Sequence, residues 1–564
     1  MPASGMLKRR LGARAFLGER AVAVRGLKGV RSRSLQHVVA RARGAPARQL
    51  ADRLRALLAA LDHPGAADLR SLARSTEDAL AEADASKVWL ALAVLTGRLP
   101  LDDDVVATAR RLELDGPGVA LAPAAASVTS LLSIDRYRPA RVEVVRQGVV
   151  VDLHHTSKTD LATGIQRVAR QVAARWDRDH EVVLVGWSGD DTALRRLDNA
   201  ARRRALGEHV GDRRSGTSRR SREQATTVVV PWDCTYVLSE LAPEEARTAR
   251  LLALTRRSGN RTCAIGFDCV PLTTAETADE PMGGAFARLL AAVRHMDTVA
   301  TISEAAAVEY RGWREMLASV GLGGPAVEAV PLPTEAGEPS AAADAAVRDR
   351  LTVGGLPLLL CVGSHEPRKN HLAVLHAADL LWRRGLRFCL GFVGGNAWKS
   401  ERFEERLAAL QGQGRFVESV SSLDDDLLWA AYRLAHVVVF PSINEGFGLP
   451  IAEALACGTP VVTSRHGAMA EVAVEGGALL VDPRDDHDLA NALGRVLEDR
   501  DLHAELVAEA RRRPHRTWDK YAAELWQLFV GSVQHCPPLG VDADLHGAAG
   551  GLSPSSASAS PRTP

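Results

Sequence analysis

The chain has 564 residues, too long for one domain at roughly 100–200 residues each. Its apolar share of 46% is that of an ordinary globular protein. A net charge of +1 and an aromatic share of 4% exclude nucleic-acid character for the chain as a whole. The seven cysteines (Cys234, Cys263, Cys269, Cys361, Cys389, Cys457 and Cys536) are odd in number and scattered. No CxxC pair marks a zinc or redox motif, so a reduced, cytoplasmic compartment is expected. No apolar run approaches the roughly 18–20 residues that cross a bilayer, and the N-terminus lacks the apolar core of a secretory signal.

Residues 1–50 carry 12 Lys or Arg against one acidic residue, Glu19. This predicts a disordered basic arm, with peripheral contact to an anionic membrane as the sharper alternative. Residues 51–140 are expected to form a helical N-terminal extension: Leu50, Leu54, Leu57, Leu58 and Leu61 recur at helical spacing, and Leu80, Val88, Leu90, Leu92 and Leu95 follow. The Gly- and Pro-containing stretch 116–126 reads as a connection.

From about Val142 the pattern changes to strand, helix, strand, the signature of a parallel sheet. Strands are expected at 149–151, 182–185, 226–230 and 262–267, with a helix at 166–176. The Arg-rich stretch 202–222 reads as a solvated loop. Residues 141–335 therefore form one Rossmann-like domain, and the small, polar stretch 336–347 reads as a linker. A second series fills 348–512, with strands at 358–362, 388–393, 437–440, 461–463 and 479–481 and helices between them. A C-terminal helix is expected within 513–535. The Pro/Ser/Ala/Gly-rich stretch 536–564 is expected to be disordered. The fold class is α/β, with two Rossmann-like domains and an extra helical region at the N-terminus.

The strongest chemical signal follows the strand at 437–440 and reads Pro441-Ser442-Ile443-Asn444-Glu445-Gly446-Phe447-Gly448-Leu449-Pro450-Ile451-Ala452-Glu453. Ligands of open α/β sheets bind beyond the carboxyl ends of strands. Gly446 and Gly448 permit a tight turn, and Pro450 suits a first helical turn whose free N–H groups form an anion site. Glu445 and Glu453 bracket the turn, and a carboxylate can hold a vicinal diol. The bland alternative is a Gly-rich turn with two solvated glutamates; the full pattern outweighs it. The second signal, Gly363-Ser364-His365-Glu366-Pro367-Arg368-Lys369-Asn370, also joins a strand to a helix. Its adjacent cations suit a diphosphate.

These stretches closely resemble the retaining glycosyltransferases of family 4, whose GT-B fold places two Rossmann-like domains across a cleft. Glu445 and Glu453 match the two glutamates of that family's E-x7-E motif. The likeness continues through Ala454-Leu455-Ala456-Cys457-Gly458-Thr459-Pro460 and Gly467-Ala468-Met469-Ala470-Glu471, with Gly394 and Trp398 between. Thr163-Gly164-Ile165-Gln166-Arg167-Val168, Asp268 with Pro271, and Ile302-Ser303-Glu304 resemble landmarks of the acceptor domain more loosely.

The resemblance implies that Glu453 binds the nucleotide ribose and that Glu445 acts near the reacting centre. Arg368 and Lys369 would hold the diphosphate, and Gly363, Ser364, Gly446, Phe447, Gly448 and Leu449 would line the donor. Ser364 stands where many members carry Arg. On the acceptor side Gly164, His154, His155 and Asp268 are candidates. The paired histidines read first as surface decoration, and Asp268 also suits a turn or helix cap.

No D-x-D motif has the setting of a metal site, and Asp424-Asp425-Asp426 reads as the acidic first turn of a helix. No cofactor and no essential metal are therefore expected. The implied partners are a nucleotide-sugar donor, with GDP-mannose the first choice, and a glycan or lipid-linked acceptor at the cytoplasmic membrane face. A sugar-nucleotide epimerase of the same fold and a non-catalytic sugar-nucleotide-binding protein are the alternatives.

Overall fold

A computed structural model describes residues 34–131, 141–159, 163–208 and 227–531. Most of the basic arm, the C-terminal stretch from 532 and the greater part of the Arg-rich segment lie outside the described residues.

The helical layer begins before position 51: helix Leu35–Arg41 lies inside the stretch expected to be an unstructured arm, and helix Gly44–Ala60 begins there. Leu35 and Leu50 are fully buried, so these helices are held by packing rather than by their charged faces. The expected connection at 116–126 is helical too, as Pro117–Ala120 and Ala122–Leu131. Pro117 sits where a helix tolerates proline, and the alanines that follow are the best helix formers. The same misjudged alanines explain the linker, where Ala341–Leu351 is a helix capped by Ser340. Asn199–Leu206, inside the expected Arg-rich loop, is a helix capped by Asp198.

The first sheet has nine strands: β1 (Val142–Val145), β2 (Val149–Asp152), β3 (Val182–Trp187), β4 (Leu194–Arg196), β5 (Val228–Pro231), β6 (Thr235–Leu238), β7 (Arg261–Gly266), β8 (Thr298–Thr301) and β9 (Ala326–Ala329). Their order is β1-β5-β4-β3-β2-β6-β7-β8-β9, parallel except at β4. One face of this sheet shares a continuous apolar core with the N-terminal helices. Trp232 Nε1 donates to Ala60 O at 3.1 Å, and Arg257 Nε to Asp102 Oδ1 at 2.7 Å. The helical region thus supplies the cover that a two-faced parallel sheet requires.

The second sheet has six parallel strands: β10 (Leu358–Val362), β11 (Cys389–Val393), β12 (Val417–Val420), β13 (Val437–Phe440), β14 (Val461–Ser464) and β15 (Ala478–Val481). The order β12-β11-β10-β13-β14-β15 is the doubly wound Rossmann arrangement. The carboxyl ends of β7 and β8 meet those of β13, so the two sheets face each other as the GT-B fold requires. Helix Trp518–Phe529 leaves the second domain and packs on the first. Trp176 Nε1 donates to Ala522 O at 2.9 Å, and Trp526 stacks on His180 at 3.6 Å between ring centres.

Candidate active site at the seam between the sheets

The chain runs from β10 to β11 on one side and returns through β13 on the other. The loops after β10 and β13 therefore diverge, opening a crevice at the carboxyl edge. Both sequence motifs lie there. Lys369 Nζ donates to Glu445 Oε1 at 2.6 Å, and Arg368 Nη1 lies 2.5 Å from Glu445 Oε2. Arg368 also donates to Asn444 O at 2.7 Å and to Glu366 Oε1 at 2.6 Å. Ser442 Oγ donates to Glu445 Oε1 at 2.6 Å.

Burial opposes charge on Glu445, yet Arg368, Lys369 and Ser442 together bring its carboxyl down to about 2. Arg368 stays charged, since Glu445 and Glu366 outweigh its burial. Much of its fork is committed inside the loops, whereas Lys369 keeps two of its three N–H donors after serving Glu445. The cation best placed for a diphosphate is therefore Lys369, with Arg368 fastening one loop to the other. Gly363 and Ser364 open this loop. His365 is buried beyond them, its Nδ1 2.8 Å from Asn396 Oδ1.

The turn after β13 works by close approach. A Cβ on Gly446 would lie 2.7 Å from Phe267 O and 2.8 Å from Asp268 Oδ2, so glycine is needed for the first domain to dock. Ser303 Oγ donates to Gly446 O at 2.6 Å. Glu471 accepts from the amides of Glu304 and Ala305 at 2.9 and 2.8 Å, capping helix Glu304–Ser319 across the seam. Phe447 is buried, and Gly448 takes a left-handed conformation to start helix Leu449–Ala456. Leu449 reaches toward Gly164, at the start of helix Gly164–Asp179.

Glu453 lies on helix Leu449–Ala456 and is 6% exposed. One oxygen pairs with Arg167 of the first domain, and the other accepts from Tyr432 OH at 2.7 Å. Asp268 stands at the seam beside Arg368, Glu445 and Glu309. Burial pushes its carboxyl up to about 6, against the pull of Arg368 and with the help of the two glutamates. It is thus more than a turn residue, although its Oδ1 does accept from Val270 N at 3.2 Å.

His154 is not surface decoration. It is 2% exposed, its Nδ1 accepts from Trp187 N at 2.8 Å, and burial with the nearby Arg247 lowers it to about 4. His155 is half-buried, its Nε2 2.9 Å from Glu244 Oε1. Both border a polar network at the carboxyl ends of β2, β3 and β6. Asp152 accepts there from Tyr236 OH at 2.6 Å, Trp187 Nε1 at 2.7 Å and Arg247 Nη2 at 3.1 Å. Glu240 accepts from the amides of His155 and Thr156 at 2.5 and 2.9 Å.

Arg167 and Glu366 lie within the motifs at 163–168 and 363–370 without an assigned role, and Tyr432 lies outside every motif. Asp424 caps helix Asp425–Leu434, as the acidic run implied. Among the described residues no group of three or more His, Cys, Asp or Glu is arranged to hold a metal ion. No helix among them is long and apolar enough to cross a membrane.

Residues 345–513 match the family described as glycosyl transferases group 1. This segment is a group 1 glycosyltransferase domain. The chain is 36% identical over 188 residues to a D-inositol 3-phosphate glycosyltransferase of Corynebacterium jeikeium, covering 32% of this chain and 43% of that protein. It is 40% identical over 133 residues to an MMP alpha-(1->4)-mannosyltransferase of Mycolicibacterium hassiacum, covering 23% and 32%. The chain thus spans less than half the length of these curated relatives. Among solved structures, sucrose-phosphate synthase from Thermosynechococcus elongatus overlays with a TM-score of 0.48 at 20% identity, over 68% of this chain and 98% of that one.

Proposed function

We propose that the protein transfers a hexosyl group from a nucleoside diphosphate donor, GDP-mannose first, to a hydroxyl of a glycan or lipid-linked saccharide with retention of configuration. The observation that carries this is the Lys369–Glu445–Arg368 cluster at the switch point of a Rossmann sheet, with Glu453 on the helix that follows Glu445. The relatives named as glycosyltransferases and mannosyltransferases support it. Lys369 and the positive end of helix Leu449–Ala456 stabilise charge on the departing diphosphate. The acceptor hydroxyl attacks on the face from which the diphosphate leaves, so no enzyme nucleophile is needed. Asp268, on the acceptor side of the seam, orients that hydroxyl. Packing of Phe267 and Ser303 on Gly446 keeps water from the donor.

Thermal unfolding with GDP, UDP and ADP tests the donor site. One of them should raise the melting temperature, since ligand at a hundred times its Kd adds about 2.7 kcal/mol. The corresponding sugar nucleotide should then turn over in EDTA-treated enzyme, giving product of unchanged anomeric configuration by NMR. No response to any of the three nucleotides refutes the donor reading. Activity lost in EDTA and restored only by Mg²⁺ or Mn²⁺ refutes metal independence.

A further inference from the structure

Glu453 is the one charged residue of helix Leu449–Ala456, whose Ile451, Ala452, Ala454 and Leu455 are buried around it. A carboxylate in such a setting stays charged only if it is paired. Its partners come from two domains. Tyr432 OH, on helix Asp425–Leu434, serves Oε2, while the Arg167 guanidinium serves Oε1 from the facing domain. Arg167 is itself held: its Cζ lies 5.5 Å from the centre of the Trp429 ring, a cation–π contact. The helix that carries it starts at a capping box, with Thr163 N and Oγ1 at 3.2 and 2.9 Å from Gln166 Oε1. Arg167 therefore projects from a fixed first turn. An ionised carboxylate offers about four acceptor positions. Two are taken, which leaves one free position on each oxygen for the two hydroxyls of a diol.

We propose that Arg167 is a positioning residue of the donor site, pairing with Glu453 and orienting it toward the nucleotide ribose so that the ribose pocket is complete only when the domains are closed. This rests on the reading of Glu453 as the ribose contact and extends it to the other domain. Closure and donor recognition then share one ion pair, and a donor cannot be fully gripped by the open enzyme. The groups facing Glu453 are Arg167, Tyr432 and Asp425, the last two on one helix, and Cys457 after its own helix. Burial holds the Glu453 carboxyl above its ordinary value and Asp425 adds to the rise, although Arg167 and Tyr432 pull it down. Removing Arg167 takes away the largest opposing contribution. The acid form then persists to higher pH, and grip on the diol recovers only as pH rises.

The test uses the full chain and pairs of ribo- and 2′,3′-dideoxy-nucleoside diphosphates of guanosine, uridine and adenosine. Affinities are measured by calorimetry for wild type, Arg167→Ala and Arg167→Lys, with thermal unfolding as a check on the fold. Arg167→Ala should weaken the preferred ribonucleotide about 10-fold or more, as expected for a lost hydrogen bond to a charged group. The dideoxy nucleotide should lose almost nothing further. The ribonucleotide penalty should be larger at pH 6 than at pH 8.5. Arg167→Lys should fall between, because it keeps the charge and loses the planar stacking on Trp429. Equal losses on both nucleotides, or no loss on either, overturn the proposal and leave the donor site standing. If no ribonucleoside diphosphate binds the wild type, the donor reading and this inference fall together.

Discussion

The two facing sheets carry their polar side chains in opposite ways. On the second sheet, the charged residues of the crevice come from two short stretches, 363–370 and 441–453, each a single loop running into a helix. On the first sheet, the polar network at the strand ends draws Asp152 and Arg247 from positions 95 residues apart, with Trp187 from the end of β3 and Tyr236 and Glu240 from β6 and the loop after it. A contiguous loop can keep its chemistry through changes elsewhere, so it reads as a motif. A network assembled over a distance has no such signature. The difference extends to burial: the Asp152–Arg247 pair is fully buried, whereas the Lys369 side chain is 12% exposed beside Glu445.

If that contrast holds, substitutions on the first sheet cost stability and those on the second cost activity. Arg247→Ala leaves Asp152 and Glu240 as unpaired buried carboxylates, and it should destabilise by about 3–5 kcal/mol in chemical denaturation. Lys369→Ala, which leaves Glu445 paired with Arg368 and Ser442, should unfold near the wild-type midpoint yet lose about 10²–10³ in kcat/KM, the scale of one charge-stabilising contact. Comparable unfolding by both variants would erase the distinction.

Asp268 belongs to the first sheet but meets the site of the second, so it should show both behaviours. Its carboxyl is raised from its ordinary value to about 6. A raised acid gives stability that is present below the unfolded value, near 4, and lost as pH rises through 6. Asp268→Asn should therefore stabilise the protein by about 1–2 kcal/mol at pH 8 and by nothing measurable at pH 4. The acid limb of its kcat/KM profile near pH 6 should also disappear. An unchanged difference in melting temperature between the two pH values would place Asp268 outside this electrostatic cluster.

The smallest effect concerns the basic arm, whose first 33 residues lie outside the described region. If it adds a third kind of region, one acting only at a surface, the full chain should sediment with anionic vesicles at low salt. Each cation contributes about 1 kcal/mol at most and is screened by salt. A chain starting at Ser34 should not sediment, and neither should the full chain with neutral vesicles. Equal behaviour of the two chains removes the membrane contact.

The sequence by itself determined the α/β class, the second Rossmann domain and the two charged loops at its carboxyl edge, because each rests on local rules. Runs such as Val437–Phe440 read as buried strands, and Glu445 and Glu453 are separated by one turn and the start of one helix. It misplaced the alanine-rich stretches at 117–131 and 341–351, where composition resembling a linker hides high helix propensity. It also missed short strands such as β6, β8 and β9, which hold only by pairing with neighbours. Only the tertiary structure decided that the N-terminal helices cover the first sheet, that His154 is buried, and that Arg167 meets Glu453. The last two residues are 286 positions apart, and no periodicity or propensity reaches across that distance. Their pairing depends on how two independently folded sheets dock, and that is set by the shape of the seam at Gly446, Phe267 and Ser303.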